Sequence, residues 1–113
     1  MKVFFNGFES KEATFKTLAS VNVGRAVALM NTGEVHYPQD ENFTGIVASY
    51  KDGYASVVMR GYAVAAFKNT LPTVGICKLK PSSTGYMELD EENGKPYTVV
   101  GVDVVNKTIE FII

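Results

Sequence analysis

The chain of 113 residues has no tryptophan, one cysteine and one histidine, and its charges nearly cancel, with 11 basic against 12 acidic side chains. Each shortage excludes something. With Cys77 alone, no internal disulfide forms and no thiolate metal cage can be assembled from this chain. Cys77 sits in GICKL between apolar neighbours, which reads as a small buried hydrophobe. A formal net charge of -1 gives little long-range attraction for phosphate backbones or anionic lipid, so neither nucleic acid nor a membrane surface is expected as a partner. No apolar run approaches the 20 or so residues of a transmembrane helix. The longest, YASVVMRGYAVAAF at 54–67, carries Arg60 and Gly61 at its centre. In MKVFFNGFESKE, Asn6, Gly7, Glu9 and Lys11 end the apolar run before the length of a signal-peptide core, so a protein made and kept inside a cell is expected.

Catalytic groups are equally scarce. His36, in GEVHYPQDEN, has no identifiable nucleophile beside it, and reads as a solvent-facing side chain before a proline-containing loop. The acidic run ELDEEN at 88–93 places its carboxylates side by side, not in the alternation of a calcium loop, and reads as a solvated turn. No P-loop, GxGxxG, GxSxG, HExxH or CxxC occurs. No catalytic residue, metal ligand or cofactor is assigned, and an enzyme is not expected.

What is present is a rhythm of glycines separating short segments rich in Val, Ile, Tyr, Phe and Thr, the pattern of many short strands joined by tight turns. Asp52-Gly53, between GIVASY and YASVVM, is the clearest hairpin. Asn31-Thr32-Gly33, Ser83-Thr84-Gly85, Asn93-Gly94 and Asn106-Lys107 mark further turns. Within SKEATFKTLASV, Phe15, Leu18 and Ala19 fit a short helix while Thr14, Phe15 and Thr17 fit a strand, and the pattern does not decide between them. Read as strands, the 54–67 stretch has Ala55, Val57, Met59, Ala63, Ala65 and Phe67 on a core face, Arg60 outward, and Gly61 at a bend between two halves. Gly45-Ile46, Gly75-Ile76 and Gly101-Val102 echo one another, which reads as repeated strand-opening geometry and not as a duplicated unit. The expected fold is all-β: one small β-barrel or β-tulip-like sandwich of short antiparallel strands over 21–113, with an N-terminal arm over 1–20.

Two groups of side chains are candidates for contact. Val3, Phe4, Phe5, Phe8 and Phe15 give the lead-in an aromatic character that termini normally lack. They either fold back on the domain or dock on a neighbour, for instance by adding a strand to its sheet. Tyr54, Arg60 and Tyr62 form a second candidate patch. The tyrosines at 50, 54, 62, 86 and 97 fit either an amphipathic contact surface or caps on the edges of a small core.

Taken in order, ATFKT, VGRAVAL, FTGIVASYKDGYASVVMRGYAVAAF, LPTVGICKL and PYTVVGVDVVNKTIEFII make the chain resemble the small capsid decoration, or cement, proteins of tailed bacteriophages. The resemblance covers most of the chain and rests on glycines and short strands. It implies a protein without catalytic activity that binds the outside of an assembled shell. Its partner would be the major capsid protein of the head, a homo-oligomer (dimer or trimer) is compatible, and the location would be the virion, assembled in the bacterial cytoplasm. The alternatives are a phage tail or adaptor component, a small β-barrel binding oligosaccharide or oligonucleotide, and a lipoyl-type carrier with Lys51 or Lys107 at a hairpin tip.

Overall fold

The computed structural model describes residues 10–39 and 42–113, and every regular element among them is a strand. The first half forms β1 (Lys11–Lys16), β2 (Ala26–Leu29), β3 (Val35–His36), β4 (Gly45–Lys51) and β5 (Tyr54–Arg60), hydrogen-bonded in the order β1-β5-β4-β2-β3. The second half forms β6 (Tyr62–Ala66), β7 (Gly75–Pro81), β8 (Met87–Leu89), β9 (Lys95–Asp103) and β10 (Thr108–Ile112), in the order β6-β10-β9-β7-β8. Counted from its own first strand, the second sheet has the same order as the first. All paired strands are antiparallel.

The match extends to single hydrogen bonds. Each sheet curls until its edge strands touch at one parallel bridge, Thr17 to Val35 in the first and Phe67 to Met87 in the second. At that seam the N–H of Leu18 donates to Val35 O and that of Lys68 to Met87 O. The N–H groups of Thr17 and Phe67 reach into the last hairpin of their own sheets, at Gly53 O and Lys107 O. Both last hairpins carry a bulge, since Val47 and Ser49 pair with consecutive residues of β5, and Val99 and Gly101 with consecutive residues of β10. The Met30–Glu34 and Ser82–Tyr86 turns close with the same pair of backbone bonds, and Gly33 and Gly85 hold φ of 87° and 85° there. The chain is therefore a tandem of two like-folded, five-stranded units. This corrects the expectation of no duplication. The glycines that suggested an echo are not the equivalent positions, for Gly45 and Gly75 open β4 and β7 while Gly101 lies within β9.

Neither sheet closes into a continuous barrel, and the two stack in the manner of a sandwich. Inside the first unit, Val21, Val27, Val35, Val47, Ala55 and Val57 form one core, with Phe15, Tyr37 and Tyr50 packed at its edge. A second core fills the other unit with Leu79, Met87, Val99, Ile109 and Phe111, and also takes in Ala26, Ile46 and Val58 from the first. Successive residues of a strand point to opposite faces. Ala26 and Val27, Ile46 and Val47, and Val57 and Val58 thus divide between the two cores.

Several expected turns are observed. Asp52-Gly53 joins β4 to β5, with both residues at positive φ, and Lys107 takes the same conformation between β9 and β10. SKEATFKTLASV resolves as strand β1, so the expected arm over 1–20 contributes Lys11–Lys16 to the first sheet. The 54–67 stretch divides at Gly61 into β5 of one unit and β6 of the other. One face assignment is corrected, because Met59 is 42% exposed while Val58 is 8% exposed. Lys11 pairs with Arg60 but Glu12 with Val58, so Met59 is an extra, bulged residue and the alternation breaks there. No helix among the described residues is long and apolar enough to cross a membrane.

Candidate functional site

Among the described residues, backbone hydrogen bonds tie the units together at three places. Gly61 exchanges both backbone hydrogen bonds with Ile113, at 2.9 Å each. Ala66 N–H donates to Gly24 O, tying β6 across to the segment that leads into β2. The third contact is the Ser82–Tyr86 turn, which lies on the first unit: Ala26 N–H donates to Gly85 O at 2.8 Å. The Arg25 guanidinium lies 3.7 Å from the Tyr86 ring centroid and donates to Thr84 O and the Tyr86 hydroxyl. A cation held over a ring while its N–H groups find acceptors is both oriented and satisfied.

Between these contacts a cleft of about 450 Å3 remains. Its walls are mainly aliphatic, from Val23, Ile46, Val58, Val64 and Ala66, with Glu12, Tyr62 and Thr108 at the margin. Burial raises the pKa of the Tyr62 phenol, and the charge and hydrogen bond of Glu110 raise it further. Such a cleft can hold an apolar side chain or chain segment, and its one phenol, which donates to Glu110, presents its oxygen at the rim as an oriented acceptor.

The candidate contact residues fall in different places. Val3, Phe4, Phe5 and Phe8 lie outside the described residues. Ser10, the first residue beyond them, lines the cleft, and its hydroxyl donates to Tyr62 O at 3.3 Å. Arg60 is exposed beside Gly61, and Tyr62 follows it at the cleft margin. The structure therefore brings the start of β1, Arg60 and Tyr62 together. Tyr54 is exposed but lies six residues away at the other end of β5, about 20 Å at strand rise. Phe15 packs against the first core opposite Ala55.

No known protein family, curated protein or solved structure matches the chain.

Cys77 and Asp90 have local structural roles, while the buried Nδ1 of His36 has no hydrogen-bond partner among the described residues. Cys77 is buried, as expected, and its thiol lies 3.1 Å from Thr73 O. In the acidic run, Asp90 accepts the N–H groups of Glu92 and Asn93 and pairs with Lys80 at 3.0 Å. These bonds, the Asn93 N–H first, hold its pKa down at about 2. His36 is half-buried, which corrects its expected solvent-facing position, and its ring centroid lies 5.1 Å from that of Tyr37. Among the described residues, no three His, Cys, Asp or Glu side chains gather in a way that could hold a metal ion.

Of the tyrosines, Tyr37, Tyr50 and Tyr97 cap core edges, whereas Tyr54 is exposed, Tyr62 lines the cleft and Tyr86 lies under Arg25. The hydroxyl of Tyr50 is hydrogen-bonded by the Ser20 and Thr17 side chains, while Tyr97 stands edge-on to Phe111 at 5.6 Å. The surface that the sequence reading missed is the outer face of β7, β9 and β10, where Val74 and Ile76 stand 68% and 71% exposed. Alternation held the signal, since Ile76 and Lys78 point one way and Cys77 and Leu79 the other. The short apolar context of GICKL concealed it.

Proposed function

We propose that this chain is a non-enzymatic virion structural protein that binds the outer surface of an assembled phage capsid, through the major capsid protein, and reinforces it. The observation that supports this reading most is the cleft mouth. There the chain emerges from its aromatic lead-in at Ser10, next to exposed Arg60 and half-buried Tyr62, over aliphatic walls. An apolar cleft lined by Ser10, the residue that follows the aromatic lead-in in sequence, suits docking on a protein surface, with Phe4, Phe5 and Phe8 proposed as anchors. Two units locked by backbone bonds and by Arg25 form a scaffold that loses little freedom on binding. Reinforcement follows by linkage. A protein that binds only the assembled lattice stabilises it by RT ln(1+[L]/Kd), about 2.7 kcal/mol per site at a hundredfold excess over Kd.

Co-sedimentation with undecorated heads tests the reading. Saturable binding is expected, together with a higher temperature for head disruption, and no binding to either immature or expanded shells overturns it. Removing residues 1–9 should leave β1 and the fold intact and abolish binding, whereas unchanged binding removes the lead-in from the mechanism. Binding to tails or connectors instead of heads would assign the same surface to a tail or adaptor protein. The reading as an oligosaccharide or oligonucleotide binder is less well served, because a single tyrosine among aliphatic walls offers no stacking platform.

A further inference from the structure

The repeated topology lets one face be read twice. On the first sheet, Ala26, Ile46 and Val58 form a row across β2, β4 and β5. The same row on the second sheet is Ile76, Thr98 and Ile112, across β7, β9 and β10. In the first unit this row is 0, 1 and 8% exposed, because the second unit lies over it. In the second unit Ile76 is 71% exposed and Thr98 is exposed beside it. The row then runs through Ile112 to Tyr62, at the margin of the cleft between the units. A face whose twin is an interface is thus left open and apolar.

A second chain cannot cover it as β6 covers the first row. At the positions where β6 presents Tyr62, Val64 and Ala66 outward, β1 presents Glu12, Thr14 and Lys16, so head-to-tail stacking would bury a carboxylate and an ammonium against isoleucine. Against itself, however, the face is complementary. Its exposed charges are Lys78 at one corner, on β7, and Glu110 on β10 with Asp103 at the end of β9 toward the diagonally opposite corner. A two-fold axis lying in the face along the other diagonal sets Lys78 of one copy against Glu110 of the other. Thr98 then lies near the axis, and the strands cross near a right angle, one of the two ways that sheets stack.

We propose that the outer face of β7, β9 and β10 is a two-fold self-association surface that pairs two copies of this chain. Sedimentation velocity and light scattering on the full chain over a range of micromolar concentrations should give twice the 12.3 kDa of one chain. Ile76→Asp should give a monomer with an unchanged far-ultraviolet spectrum. Lys78→Glu and Glu110→Lys should each weaken pairing about tenfold, and the double exchange should restore it. A wild-type monomer throughout, a trimer, pairing that survives Ile76→Asp, or a double exchange no tighter than either single one would each overturn the proposal.

Discussion

The two units share a fold but not a situation. The Met30–Glu34 turn of the first stands in solvent, and a Cβ added at Gly33 would meet nothing within 4 Å. The Ser82–Tyr86 turn of the second is wedged onto its neighbour, and a Cβ at Gly85 would come within 2.9 Å of Tyr37, Ala26 O and Arg25. The cores differ in the same sense. The first holds Ala55 and Val57 where the second holds Ile109 and Phe111, so the second carries the bulk and extends into the first. One backbone plan tolerates both fillings because curl, bulge and turn are fixed by hydrogen bonds and not by side-chain volume. Like folds therefore do not imply like contributions to stability.

That asymmetry can be broken at matched positions. Phe111→Ala should cost about 3–5 kcal/mol and Val57→Ala about 2 kcal/mol, measured by denaturant unfolding. Both should shift one transition, since Phe111 shares its core with Ala26, Ile46 and Val58. Two separate transitions would show that the units fold independently. The next effect is at the turns. Gly85→Ala should cost about 3 kcal/mol, from backbone strain plus displaced neighbours, against about 1 kcal/mol for strain alone in Gly33→Ala. Equal costs would mean that the wedge contributes nothing.

Arg25→Ala should cost about 1–2 kcal/mol, and Arg25→Lys should recover little, because the planar fork serves the Tyr86 ring and the Thr84 carbonyl together. The smallest effect lies in acid. The Asp90 pKa is lowered to about 2, so its contribution is present above the unfolded-chain value near 4 and is lost as pH falls from there through about 2. Asp90→Asn should flatten the dependence of melting temperature on pH across that window, and an unchanged slope would show that its bonds do not persist in solution.

Much of the fold was legible because tight turns have strict chemistry. Asp52-Gly53, Ser83-Thr84-Gly85 and Asn106-Lys107 stand where the chain reverses. The duplication was not legible, since equivalent residues such as Thr17 and Phe67, or Val57 and Phe111, share burial and register but no side-chain likeness. The bulge at Met59 was hidden for a related reason, because one extra residue reverses the alternation while leaving the composition of SVVMR unremarkable. Of the candidate site, strand alternation made the outward exposure of Arg60 legible, but not the cleft that Tyr62 lines. Their separation from Tyr54 follows only from the length of β5. The open face of β7 could not be told from a covered one by sequence, because Ile46 and Ile76 look alike until a second unit lies over only one of them.

The row of Ala26, Ile46 and Val58 has a consequence for synthesis. All five strands of the first sheet exist once Arg60 has been made, but what covers that row arrives with β6 to β10, and β10 is the strand that joins β6 to the rest of its sheet. At about 5–20 residues per second the ribosome leaves the row bare for roughly 3–10 s. For that interval the nascent chain carries a finished unit with one apolar face uncovered, and its escape from aggregation depends on how soon the second sheet is completed.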